Sequence, residues 1–460
     1  MALSYEAKRR GNVAHISIHL FWRDLRLDDN PALSAAAARG AVVPVYIDDG
    51  LGGAAQNWQI HEELAALSAE LAAAGSNLIL RQGDVAAVLC DLVAETGATY
   101  VSCQADITRA GLDVGLRADL AALGVEFETV DDDLPGLARL MGDKPGGYRV
   151  FTPFWRRIEQ ADLAIAVQPA AKLVAPQFWP HSLALDDLGL RRAVRHGAVG
   201  LAIYTTPGRV AALAQMRGFA DDGLADYAQG RDRIWPDGSS GLSTSLALGT
   251  VSLREVWQGC ALPAYRRQLG WRSFARHLWQ YFPQMDVDCW APNWRGFRWQ
   301  QNAEALAAWQ QGRTGCDIID AAMRALWVTG RMHNRLRMVV ASYLTKNLGL
   351  DWRDGMAWFA DTLVDYDRAS NAMGWQWVAG CGADAAPYYR IFNPDLQADR
   401  HDPEGAYRAY WLRGEGAAQF AQARPPSWET ERPSPPDLKL QRQIALGRWQ
   451  DWRDGLVRSQ

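Results

Sequence analysis

Short apolar runs alternate with helical patterns over the first 130 residues, and strand signals almost vanish after residue 200. No other feature restricts the fold as much. "HISIHLFW" (15–22), "VVPVYI" (42–47), "NLILR" (77–81), "TYVS" (99–102) and "VEFETV" (125–130) read as strands. Between them, "DDNPALSAAAARG" carries Pro31 in a first helical turn and Gly40 at the end. Ile60, Leu64, Leu67 and Leu71 fall on one helix face closed by Gly75. Strands alternating with helices imply a five-stranded, parallel, Rossmann-like sheet with right-handed crossovers. No GxGxxG follows the first strand, so the ordinary dinucleotide fingerprint is absent.

A chain of 460 residues implies two or three domains. We expect an α/β domain over 12–131, an irregular connection over 132–200 and a large all-α domain over 201–460. The Pro-rich stretch 423–437 is expected to be irregular, with a short helix after it. Residues 1–200 carry a net charge of −7 and residues 201–460 of +3, so no global basic field is present. The six cysteines have no paired C-x-x-C spacing, which supports neither a disulfide framework nor a metal site. No run approaches the ~20 apolar residues of a membrane span. A cytoplasmic, reducing compartment and no membrane partner are expected.

Chemistry concentrates in 313–394. "MHNRLRM" places His333, Asn334, Arg335, Arg337 and Met338 on two turns, and Arg337 is positioned to pair with Asp365, limiting the cost of burying that acid. "DRASNAMGWQW" (367–377) then sets Asn371 and two indoles beside the acidic pair of "LVDYD". The chain holds 21 Trp, and any single one is more often core packing than chemistry.

These residues resemble the flavin domain of the photolyase/cryptochrome family. "FWRDLRLDDNPAL" (21–33), "VFTPFWRR" (150–157) and "DGSSGLSTSLALGTVS" (237–252) extend the resemblance from about residue 15 to about 413. It implies FAD held in a folded, U-shaped form in the helical domain. Tyr227, Arg231, Ser239, Ser240, Gly241, Leu242 and Ser243 would cradle its pyrophosphate as an anion nest. Arg272, Asn334, Arg337, Asp365 and Asp367 would surround the rest, with Asn371 at flavin N5. Trp375, Trp352 and Trp299 match the family's electron-transfer chain. Trp271 and Trp377 match the wedge around a flipped-out pyrimidine dimer, with Met338, Arg335 and Gln397 on the DNA side. Arg266, Arg267, Arg272, Arg276, Arg295, Arg298 and Arg331 are expected to add a positive rim.

The resemblance thus implies light-driven repair of cyclobutane pyrimidine dimers in UV-damaged DNA by a monomer. Three departures stand out. Gln268 replaces the usual Glu, keeping an N–H donor without charge. Arg331 stands where many relatives carry Trp. The segments 54–64 and 101–113 depart from the family's antenna region, so folate, deazaflavin, flavin or no antenna remain open. The alternatives are a cryptochrome-like flavoprotein with little or no repair, and (6-4) photolyase activity.

Overall fold

The computed structural model describes residues 15–142, 144–161, 163, 165–192 and 198–458. β1 (Ile16–Phe21), β2 (Ala41–Asp48), β3 (Ile79–Gln82), β4 (Tyr100–Gln104) and β5 (Glu126–Val130) form one parallel sheet in the order β3-β2-β1-β4-β5. All five lie on the expected runs. Side-chain alternation assigns the faces: Ile18, Leu20, Val43 and Val45 pack with Leu89, Leu92 and Leu116. On the other face Phe21, Val42 and Tyr46 pack with Leu33, Leu64 and Leu71. Covering both faces explains why the strands read as nearly continuous apolar runs. Helix starts follow local chemistry. Asn30 accepts from Leu33 N ahead of Pro31, and Asp84 caps Val85–Thr96 through Ala87 N.

β1 and β4 are neighbours whose outgoing chains diverge, the switch point where open α/β sheets place their crevices. Here the loop after β1 docks the helical half. Arg26, fully buried, pairs with Asp132 at 2.5 Å and donates to Gly249 O at 2.9 Å. Arg254 spans Asp29 (3.0 Å) and Asp132 (2.7 Å), while Arg209 spans Asp28 and Glu255. Gly249 is in the left-handed region, and a Cβ there would lie 1.9 Å from Arg23 O.

Within the stretch expected to be irregular, Phe151–Glu159 is a helix. Its Phe151, Phe154, Trp155 and Ile158 occupy one face and enter a core with Phe274 and Leu278 of the Pro263–Tyr281 helix. Pro153 and the short length obscured this spacing, and Pro near a helix start costs no hydrogen bond. The last helix, Leu438–Arg458, has 21 residues and is not short. No described helix is long and apolar enough to cross a membrane.

Candidate flavin and DNA site

The helical half has two cores, and the Arg368–Ala379 helix lies on their seam. Ala369 and Ala372 enter one core, Trp375 and Val378 the other. That double duty accounts for the mixed composition of "DRASNAMGWQW". Asp367 caps the helix by accepting from Ser370 N at 2.8 Å. Burial opposes its ionisation, but Arg272, Arg23 and the Ser370 contacts outweigh burial and hold the carboxylate well below the ordinary range. Arg23 lies 3.2 Å away and comes from the loop after β1. Sequence reading missed it, although Arg23, Asp24, Arg26, Asp28 and Asp29, clustered just after a strand, were a signal.

Asn371 is half-buried, and its Nδ2 donates to Met356 O at 3.1 Å, leaving Oδ1 as an acceptor. The predicted Arg337–Asp365 pair is present, Nη2 to Oδ2 at 2.6 Å, with Arg337 Nε on Met332 O. Asp365 Oδ1 is buried and has no hydrogen-bond partner. A carboxylate oxygen left this way is costly unless a donor from a bound group completes it. Asn334 and Met338 share one helix face, their Nδ2 and Sδ atoms 4.0 Å apart.

Ser240 anchors the loop expected to hold phosphate. Its Oγ accepts from Tyr265 OH at 2.9 Å and from Leu242 N at 3.3 Å, and its carbonyl accepts from Gln215. Gly241 turns the chain at φ +65°, and Ser243 opens the next helix. Ser239 N is already engaged by Asp237, which leaves the Ser239 hydroxyl and later amides as donors. Thr244 Oγ1, not anticipated, is buried without a partner in the first turn of that helix. Tyr227 is buried beneath Arg231. Arg231 Nη2 donates to Gln268 Oε1 at 3.1 Å, so the expected cofactor and lesion contacts join directly.

Trp375 packs against Phe359 and against Gly355, where a Cβ would lie 2.1 Å from the indole. Gly355 belongs to the Trp352–Thr362 helix, and Trp352 is fully buried. Gln300 N donates to Gly349 O at 2.8 Å, bringing half-buried Trp299 beside the start of that helix. Of the three indoles, Trp375 and Trp352 are buried and Trp299 is half-buried. Trp271 stacks on Phe151 at 3.7 Å, and Trp377, like it, is half-buried. Gln397, on the Pro394–His401 helix, has a buried Oε1 without a partner.

The expected rim is thinner than the sequence suggested. Arg272 and Arg276 turn towards Asp367 and Asp133 at the domain boundary, and Arg266 donates to Trp257 O. Arg295 pairs with Asp288, and Arg335 pairs with Asp232 at 2.6 Å. Acids near the chain satisfied these cations, a pairing that sequence spacing does not reveal. Among the described residues no group of His, Cys, Asp or Glu is placed to hold a metal.

Both the sequence and the fold match known proteins. The sequence matches the FAD binding domain of DNA photolyase over residues 265–436 and DNA photolyase over residues 17–175. A deoxyribodipyrimidine photo-lyase of Agrobacterium fabrum is 42% identical, covering 84% of this chain and 85% of its own. One from Streptomyces griseus is 37% identical, with 86% and 89% covered. The crystal structure of a bacterial class III photolyase from Agrobacterium tumefaciens superposes with a TM-score of 0.87 at 36% identity, covering 96% of this chain and 99% of that one.

Proposed function

Because the chain belongs to the DNA photolyase family, we propose that it splits cyclobutane pyrimidine dimers in light, using FAD held on the seam of its helical domain. The observation that carries this is the half-completed Asp365: paired to Arg337 on one oxygen, buried and unpartnered on the other, six residues before Asn371. Thr244 Oγ1 is a second unpartnered buried atom, in the helical turn that follows the loop suited to phosphate. These residues fit the flavin. Asp365 and Arg337 would hold the ring edge, Tyr227, Arg231, Ser239, Ser240, Gly241, Leu242 and Ser243 the pyrophosphate, and Asn334, Arg272 and Asp367 the remainder. The bound flavin, when reduced and excited, supplies the electron that opens the cyclobutane ring.

The protein's own part is binding and polarity. With Nδ2 fixed on Met356 O, Asn371 offers an acceptor, which suits a donor N5–H of reduced flavin. Amide groups do not titrate, so this preference holds across pH. Trp271, backed by Phe151, and Trp377 would form an apolar slot for an extruded dimer, whose damaged stack costs less to open. Arg231 occupies Gln268 Oε1, and Gln268 Nε2 makes a long contact to Ala264 O at 3.5 Å, a weak tie that a base carbonyl of the lesion would replace. Met338, Arg335 and Gln397 complete the DNA side. Trp375, Trp352 and Trp299 serve to reload electrons rather than to split the dimer. In this reading the chain acts as a monomer in the cytoplasm.

An oligonucleotide carrying one cyclobutane dimer, incubated with photoreduced protein, tests this reading. Dimer loss in light and not in darkness is expected, with Trp271→Ala and Trp377→Ala weakening lesion binding by about 1–3 kcal/mol each. Light-independent behaviour, or no lesion preference, would contradict it.

A further inference from the structure

His333 carries a buried donor that the fold leaves unmet. Its side chain is 6% exposed. Nδ1 accepts from Arg335 N at 3.1 Å, which caps the Asn334–Ser342 helix and places the ring proton on Nε2. Burial, opposed by Asp237 and Asp232, lowers the pKa from 6.5, so the imidazole is neutral at pH 7. Nε2 is buried without a hydrogen-bond partner. An unmet buried donor is costly, so closing on a nearby acceptor is favoured.

Asp237 offers that acceptor. Its Oδ1 lies 3.7 Å from Nε2, and its side chain is 55% exposed, with room to close to the ordinary N–H···O distance of about 3.0 Å. The same oxygen accepts from Ser239 N at 2.7 Å, at the start of the loop suited to pyrophosphate. On the other side of the imidazole, Arg335 pairs with Asp232 at 2.6 Å. The neighbouring Arg231 donates to Gln268 Oε1 at 3.1 Å. An antiparallel bridge between Ile234 and Asp237 ties this segment back on itself. One imidazole therefore stands between the phosphate loop and the arginines that meet Asp232 and Gln268.

We propose that His333 is a positioning residue that links cofactor binding to DNA binding, closing on Asp237 when the phosphate loop is filled. The proposal rests on the reading of 239–243 as the pyrophosphate loop and of Arg335 as a DNA contact. With the loop filled, its free amides turn to the phosphate oxygens, and Asp237 moves onto Nε2–H. The imidazole is then held at both nitrogens. Its Nδ1 fixes the first turn of the Asn334–Ser342 helix, and with it the positions of Asn334 and Arg335. Linkage is reciprocal, so DNA held by Arg335 keeps Asp237 closed on His333 and the cofactor in place. No covalent bond changes, and the ring keeps its proton.

The test measures FAD release from the holoenzyme in darkness, by the rise in flavin fluorescence, without DNA and with a saturating undamaged duplex. Undamaged DNA has no extruded dimer to touch the flavin, so only the link through the protein is read. The duplex should slow release at least about fivefold in the parent chain. His333→Asn should bring that ratio close to one. Asn still accepts from Arg335 N as a helix cap, but it places no donor where Nε2 stands. Asp237→Ala should remove the slowing from the other side of the contact. A merely structural role would lower the unfolding temperature of these variants and leave the ratio as it is in the parent. Slowing that survives in either variant is plain obstruction of the pocket by DNA and overturns the proposal. So does a parent chain whose FAD release the duplex leaves unchanged, and in both cases the flavin reading stands. A chain that retains no FAD overturns the pyrophosphate reading and the proposal with it.

Discussion

At the residue scale, the site depends on charges that are buried only because they are paired. Removing Arg337 leaves Asp365 buried without its cation, and the usual cost is about 3–5 kcal/mol. Arg337→Ala should therefore lower the chemical-denaturation midpoint and release flavin on gel filtration, whereas Arg337→Lys should retain part of both. Gln268 makes a different kind of prediction. Its Oε1 already accepts from Arg231, so Gln268→Glu adds an ion pair on the existing contact but loses the amide N–H, which rests on Ala264 O at 3.5 Å. Repair by Gln268→Leu should fall at least about tenfold, the equivalent of a lost hydrogen bond of about 1–1.5 kcal/mol, in single-turnover assays. The Arg337–Asp365 pair, 28 residues apart, was legible as opposite charges within one motif-rich stretch. Arg23 and Asp232 were not, since each arrives from a distant segment, and the contact of Asn371 is to the Met356 backbone carbonyl, which residue type does not mark.

At the element scale, close helix packing sets the position of the innermost indole. Gly355 leaves no room for a Cβ beside Trp375. Gly355→Ala should cost about 1–3 kcal/mol by overpacking and shift Trp375, slowing flavin photoreduction more than flavin binding. The Pro263–Tyr281 helix gives a pH prediction. His277 accepts from Tyr148 N at 2.8 Å and packs on Phe154. Burial, helped by Lys144, pushes its pKa from 6.5 down to about 4. A depressed pKa means that its contribution to stability is complete above 6.5 and is lost as pH falls towards 4. Denaturation at pH 7 and at pH 5 should show a smaller difference in His277→Gln than in the parent chain. The Phe151–Glu159 helix shows why sequence reading failed nearby: its four buried aromatic and aliphatic residues have helical spacing, but Pro153 and flanking loops broke the visible pattern.

At the scale of the whole molecule, a five-stranded parallel sheet and a two-cored helical body are joined by buried ion pairs rather than by a flexible connector. The alternation of strand and helix runs made the sheet legible almost residue by residue. The joint was hidden, because Arg26, Asp29, Arg254 and Asp132 look like ordinary surface charges until the halves meet. Arg26→Met should cost about 3 kcal/mol and separate one calorimetric transition into two, with Asp132 still held by Arg254. Function follows from the same assembly, since Arg23 of the sheet domain holds the Asp367 cap of the helix that carries Asn371, Trp375 and Trp377. The most direct measurement of that function gives the photoreduced protein two DNA substrates side by side, one with a cyclobutane dimer and one with a (6-4) product, under the same illumination. Restored pyrimidines are expected from the cyclobutane dimer alone. Repair of neither lesion with the flavin fully reduced, or repair only of the (6-4) product, would contradict it.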